Sequence, residues 1–304
     1  MADYVVITPV RNEVTRFPRT VESIVAQTRR PTRWVIVDDG SSDGTGSLAD
    51  KAAHSHEWIR VLHRPDRGRQ LPGSGVMEAF HGGYALVSDL SWELLVKLDG
   101  DLAFEPDYFE RCLERFEKDP RLGIGGGLVC RRQGNQLVPE SPEDPAFHVR
   151  GASKIYRRVC LEQIGGLLQQ PGWDTVDELK ANMLGWRTAT FADIQIEQLK
   201  PTGMANGWWD NLVKNGLANY VACYHPLFML AKCFRRALQG PDPLAGFALG
   251  WGFFSGYIRH VPRVEDPIYR RYVHQQQWNQ LLLRSSLWSR RLDCKQRDPG
   301  TVEK

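Results

Sequence analysis

Several things are missing from this chain, and each absence narrows the field. Its 304 residues include only six cysteines, with no Cys-x-x-Cys pair and no zinc spacing. Cys112, Cys130, Cys160, Cys223, Cys233 and Cys294 therefore read as reduced, mostly buried thiols, not as a disulfide framework or a metal knuckle. No secretory leader is read at the start, so a cytoplasmic setting is expected. No apolar run reaches the ~20 residues that a membrane-spanning helix requires. Charge of neither sign dominates: 39 Lys and Arg stand against 36 Asp and Glu, a net +3. That balance gives no case for a nucleic-acid partner, and no motif that reads DNA or RNA is present. Internal repeats and low-complexity tracts are absent too. What remains is an ordinary globular composition, long enough for one large core with a smaller appendage.

The most informative feature present is Asp99-Gly100-Asp101, directly after the apolar run Leu94–Leu98. Two aspartates one residue apart at the end of a buried strand repel each other unless a cation lies between them. A hard divalent ion, Mg²⁺ or Mn²⁺, holding a diphosphate answers that need. A solvated turn is the competing explanation for the same three residues.

A second acidic turn sharpens the pattern. Tyr4–Val10 is rich in β-branched residues and reads as a strand running into Arg11-Asn12-Glu13. Phe17, Val21, Ile24 and Val25 then recur at helical spacing. Another strand, Trp34–Val37, leads into Asp38-Asp39-Gly40-Ser41-Ser42-Asp43-Gly44-Thr45. Strand, acidic Gly-rich turn, helix is the layout of a nucleotide crevice at the carboxyl ends of parallel strands. Capping explains the Ser and Asp residues but leaves two adjacent aspartates on an apolar strand unexplained. Further strands are expected at Ile59–His63 and within 123–131, with helices over 76–87 and 106–118. The alternation predicts an α/β sheet with mostly parallel strands. Gly125-Gly126-Gly127 implies close approach of a ligand or another backbone. Residues 133–150 read as one long loop, a candidate lid.

Taken together, ITPVRNE, VDDGSSDGT and KLDGD resemble the family 2 inverting glycosyltransferases of GT-A fold, of the bacterial polysaccharide type. The resemblance covers roughly residues 3 to 203. It implies a Rossmann-like nucleotide-binding sheet, a nucleotide-sugar donor and a divalent metal, Mg²⁺ or Mn²⁺. By that resemblance Asp39, with Asp38 beside it, contacts the base. Asp99 lies at the ribose or metal, and Asp101 ligates the metal. Pro9, Arg11 and Glu13 line the same crevice. Arg69 and Lys200 supply cations toward the diphosphate, although a lone loop lysine is commonly just solvated.

In the family the catalytic base is the aspartate of a Glu-Asp pair, eleven residues before a Gly-aromatic turn. Asp174 stands eleven residues before Gly185-Trp186 and matches that register. Trp173 replaces the usual Glu, which leaves Asp177 or Glu178 open as sharers of the role. Capping and the helix dipole account for acidic residues here as well. Gly151-Ala152-Ser153 through Leu167 resembles the family's acceptor-side segment, with Gly165-Gly166 equally readable as a helix C-cap.

Two regions are expected: residues 1–203, binding the nucleotide sugar, and a helical region 204–304. In the second, Leu217–Ala231 and Leu244–Ile258 lack Asp, Glu, Lys and Arg. Three readings stay open for them: core helices, in-plane helices at a membrane interface with aromatic residues and Arg nearby, or a dimer interface. Membrane contact would suit a lipid-linked or growing saccharide acceptor at the inner face of the plasma membrane. Two rival functions are weighed. A sugar-phosphate nucleotidyltransferase would want a Gly-rich basic loop after the first strand, which ITPVRNE lacks. A non-catalytic binding protein of the same fold rests only on Trp173.

Overall fold

The structure, a computed structural model, describes residues 3–68, 74–142, 144–200, 207–239 and 244–289. The first five elements alternate: β1 (Tyr4–Val10), α1 (Phe17–Val25), β2 (Arg33–Asp38), α2 (Thr45–Ser55) and β3 (Ile59–His63). α3 (Ser74–Tyr84), β4 (Leu94–Leu98), β5 (Leu102–Ala103) and α4 (Tyr108–Lys118) follow. Then come β6 (Leu122–Gln133), β7 (Gln136–Pro139), β8 (Ser153–Arg157), α5 (Arg158–Gln163), α6 (Trp173–Met183) and β9 (Arg187–Gln198).

One sheet runs in the order β3-β2-β1-β4-β8-β6-β9-β5, with β7 added to β6. The first four strands are mutually parallel. β8 then enters antiparallel to both β4 and β6. Both faces of the parallel part are covered. Val6, Trp34, Ile36 and Val96 point into one core, and Val5, Ile7, Val35, Val37 and Leu95 into the other. That double burial is why these strands read as unbroken apolar runs and not as alternating ones. β1 lies between β2 and β4, so the chain switches direction across the sheet there. The turns after β1, β2 and β4 consequently open onto one crevice.

One sequence expectation changes. The stretch expected as one long loop begins as a hairpin: β6 returns as β7 around Gly134, whose φ is +60°. Of the two explanations for the glycine triplet, close approach of another backbone is the one seen. A Cβ on Gly126 would lie 2.4 Å from the Ser153 carbonyl oxygen, and one on Gly127 2.7 Å from that of Ile194. Gly165 and Gly166 both have positive φ and close the end of α5, with Gly166 N–H donating to Leu161 O at 2.9 Å.

Four helices follow: α7 (Gly207–Val221), α8 (Pro226–Gln239), α9 (Leu244–Ile258) and α10 (Pro267–Leu281), then a short 3₁₀ turn at Leu287–Ser289. The uncharged α9 is glycine-rich because it passes very close to its neighbours. A Cβ on Gly252 would sit 2.0 Å from Val213 O of α7, and one on Gly246 2.4 Å from Cys233 O of α8. Its other side is open: Phe247, Trp251 and Ile258 are exposed, as are Leu227, Leu230, Phe234 and Leu238 of α8. No helix among the described residues is long and apolar enough to cross a membrane. The five cysteines among the described residues are free thiols, four of them buried.

Candidate active site

The crevice is built from loops stitched together by side chains. Asn12, in the left-handed region at φ 54°, accepts from Ser42 N–H at 2.9 Å. Glu13 N–H donates to Thr45 Oγ1 at 2.9 Å, and Val14 N–H to Asp43 Oδ2 at 3.0 Å. Asp38 is mostly spent on its own turn, accepting from Ser41 N–H at 3.0 Å and facing His63 Nδ1 at 3.1 Å. Asp39 accepts from Arg64 at 3.0 Å and from Arg67, which also reaches Glu78. Arg11 donates to Asp39 O and to Asp66 at 2.6 Å. Pro9 lies half-buried near the end of β1, in register with Val37. Arg69 lies outside the described residues. Arg64 and Arg67, which sequence reasoning did not single out as site residues, sit in the dense run His63–Arg67. That run was the available signal.

The carboxylates after β4 face the same crevice. Lys97 donates to Asp99 and, at 2.6 Å, to Gly151 O. Asp101 is 8% exposed. Burial, then the charges of Asp99 and Glu13, push its pKa up to about 7, against smaller opposing pulls from Lys200 and Lys97. Lys200 Nζ stands 3.4 Å from Glu13 Oε1. Glu13 Oε2, Arg11 Nε and Arg67 Nε are buried with no hydrogen-bond partner among the described residues. Gly100 allows the turn itself, because a Cβ there would meet Val10 Cγ1 at 2.5 Å. A buried Asp101 pushed toward protonation by its own burial and by the negative charges of Asp99 and Glu13 fits a hard cation that would offset them. Among the described residues no three His, Cys, Asp or Glu side chains converge closely enough to hold a metal by themselves. A cation here would share its shell with ligand oxygens, as Mg²⁺ commonly does.

α6 brings the third acidic group. Gly172, with φ +88°, turns the chain into the helix, and Asp174 lies half-buried in its first turn. A Cβ on Gly151 would come 3.1 Å from Asp174 Oδ2. Gly151 therefore links the two clusters: its carbonyl binds the lysine that holds Asp99, and its bare Cα abuts Asp174. Asp177 is placed differently. It is 2% exposed, 3.0 Å from Lys154 Nζ through either oxygen, and accepts from Tyr156 Oη at 2.6 Å. Glu178 is fully buried, taking His148 at 2.9 Å, Val149 N–H at 2.6 Å and Lys154 at 2.8 Å. Lys154 also donates to Asp174 O. Burial works against the Lys154 ammonium, but Asp177, Glu178 and Asp174 outweigh it and raise its pKa. Trp173 lies between the two buried lysines, its ring 5.3 Å from Lys97 Nζ and 5.6 Å from Lys154 Nζ.

This architecture is the GT-A type of mixed α/β sheet, with the acidic crevice at the carboxyl ends of its parallel strands. Residues 5–165 match the family model "Glycosyl transferase family 2", and the chain belongs to that family. The chain is 30% identical over 174 residues to the polyprenol monophosphomannose synthase of Mycolicibacterium smegmatis, a stretch covering 52% of this chain and 63% of that protein. It is 29% identical over 199 residues to the undecaprenyl-phosphate mannosyltransferase of Micrococcus luteus, covering 65% and 71%. Among solved structures, the mannosyltransferase PcManGT from Pyrobaculum calidifontis, in complex with GDP-Man and Mn²⁺, superposes with a TM-score of 0.53 at 18% identity, over 92% of this chain and 87% of that one. S. aureus TarS 1-349 with UDP-GlcNAc gives a TM-score of 0.53 at 15% identity, over 92% and 79%.

Proposed function

We propose that this protein moves a sugar from a nucleotide-sugar donor to an acceptor hydroxyl with inversion, in the synthesis of a polysaccharide or a glycolipid. The observation that carries this reading is that Asp101, buried at the end of a parallel strand, feels the charges of both Asp99 and Glu13 in one crevice. Asp39, held by Arg64 and Arg67, lies at the base-binding end, with Arg11 and Pro9 beside it. Asp99 and Asp101 would hold Mg²⁺ or Mn²⁺, whose contribution is to neutralise charge on the leaving diphosphate. Lys200 and Arg69 are placed by their sequence positions to add positive charge there.

Asp174 is the base. It takes the proton of the acceptor hydroxyl as the oxygen bonds to the anomeric carbon and the bond to the diphosphate oxygen breaks. Asp177 positions and does not react, because both its oxygens are committed to Lys154 and Tyr156. The catalytic and donor-binding region is read as residues 1–203, with 204–304 as the helical region against it. The acceptor is read as lipid-linked, supported by the relatives named for polyprenol phosphates and by the exposed Leu, Phe and Trp residues of α8 and α9. Those helices would lie in the membrane interface with Arg235 and Arg236 at headgroup depth.

Thermal shift with GDP-mannose and UDP-GlcNAc, with and without Mn²⁺, tests the donor site. A rise in melting temperature that needs both ligand and metal is expected. Pyrophosphate release from a nucleoside triphosphate and a sugar phosphate would instead establish the nucleotidyltransferase reading.

A further inference from the structure

α7 reaches the catalytic helix through one close contact. A Cβ on Gly172 would lie 2.8 Å from Ala218 O, so α7 lies against the turn that launches Asp174. Lys214 is four residues before Ala218, one helical turn along the same face. It is half-buried, and among the described residues it makes no hydrogen bond and no ion pair. Burial lowers its pKa, and the charges that act against this are those of Asp174 and then Asp99. The other lysines around the crevice are committed: Lys97 to Asp99, Lys154 to Asp177 and Glu178, Lys200 to Glu13. An ammonium that has lost part of its water and gained no fixed partner is poised for an anion that arrives with a ligand. One turn from the residue that abuts Gly172, and within reach of the Asp174 charge, it belongs to the side of the crevice where the base stands.

We infer that Lys214 reads a phosphate group on the acceptor, and that the acceptor of this protein is therefore phosphate-bearing. The inference rests on the transferase reading above for what an acceptor is, but the site can be tested by binding alone. Lys214 gives and takes no proton in the transfer; it binds and orients. The same chemistry could be presented by a lipid phosphate or by a soluble sugar phosphate.

Calorimetric titration of the wild-type chain, Lys214→Met and Lys214→Arg with farnesyl phosphate, farnesol and glucose 1-phosphate decides it. The expected result is phosphate-dependent binding that Lys214→Met weakens about tenfold or more and Lys214→Arg largely restores. Loss confined to farnesyl phosphate identifies a lipid source, and loss confined to glucose 1-phosphate a soluble one. Equal affinity of wild type and Lys214→Met for both phosphates overturns the inference. So does failure of the wild type to bind either, or a loss that appears instead with GDP or UDP. A chain that binds farnesyl phosphate through Lys214 yet transfers no sugar would sink the transferase reading and leave this one standing.

Discussion

Lys154 and Asp177 form an ion pair closed off from water, the ammonium 3.0 Å from each carboxylate oxygen, directly beneath the residue proposed to do the chemistry. The same ammonium holds the backbone carbonyl of Asp174. Removing it leaves Asp177 buried without a countercharge and Glu178 with His148 alone. Lys154→Met is expected to cost about 3–5 kcal/mol of stability, the scale for breaking a buried pair. Chemical denaturation measures it. Adding Asp177→Asn should recover part of the loss, whereas two independent losses would argue that the pair does not act as a unit.

The two acidic sites should fail in different ways. Asp174→Asn is expected to lower kcat by about a hundredfold or more while leaving metal-dependent thermal stabilisation by the donor intact. Asp101→Asn should lose both turnover and that stabilisation. A near-normal rate in Asp174→Asn would remove the base assignment.

His148 makes stability depend on pH. Burial opposes its charged form, but the charge and hydrogen bond of Glu178 prevail, and its pKa rises from 6.5 to about 9. A pKa raised on folding means that the stabilisation is complete below 6.5 and disappears as pH climbs through about 9. Melting temperature should fall across that window in the wild type. In His148→Gln the fall should be smaller, and an unchanged slope would exclude this pair as its source.

The seam between α7 and α9 admits no methyl group. Gly252→Ala would put a carbon 2.0 Å from Val213 O, so the helices must separate. A loss of about 1–3 kcal/mol is expected from such overpacking. Because Val213 precedes Lys214, farnesyl phosphate binding should weaken alongside stability.

Exposed apolar side chains on α8 and α9 give the membrane reading its own test. Phe234 and Phe247 are 69% and 64% exposed, so replacing them with Glu leaves the core untouched. The wild type is expected to float with vesicles containing anionic lipid, and Phe234→Glu/Phe247→Glu to remain in the aqueous fraction with unchanged melting temperature. Flotation of the double variant would return α8 and α9 to a protein-facing role.

Local chemistry made much of this molecule legible in advance. The strands Tyr4–Val10, Trp34–Val37 and Leu94–Leu98 could be read because each is buried on both faces, which demands an unbroken apolar run. The acidic turns could be read because Asp38-Asp39 and Asp99-Gly100-Asp101 follow those strands at once. The β6–β7 hairpin was missed because β7 is four residues long and half exposed, with little apolar signal. Arg64 and Arg67 were missed because only folding brings β3's exit against Asp39.

By itself, then, the order of residues determined the parallel sheet, the crevice at its carboxyl edge and the family to which the chain belongs. Those depend on short-range periodicity and on residues adjacent in the chain. The sequence register favoured Asp174 over Asp177, three residues apart on one helix, but only tertiary structure shows how differently the two are surrounded. It buries Lys154 and Tyr156 against the second and leaves the first at the crevice. Tertiary structure also brought α7 against the turn before Asp174, so that the charge of Lys214, some 40 residues downstream, feels that of Asp174. Burial and long-range charge set what a side chain can do, and neither is written in its neighbours along the chain.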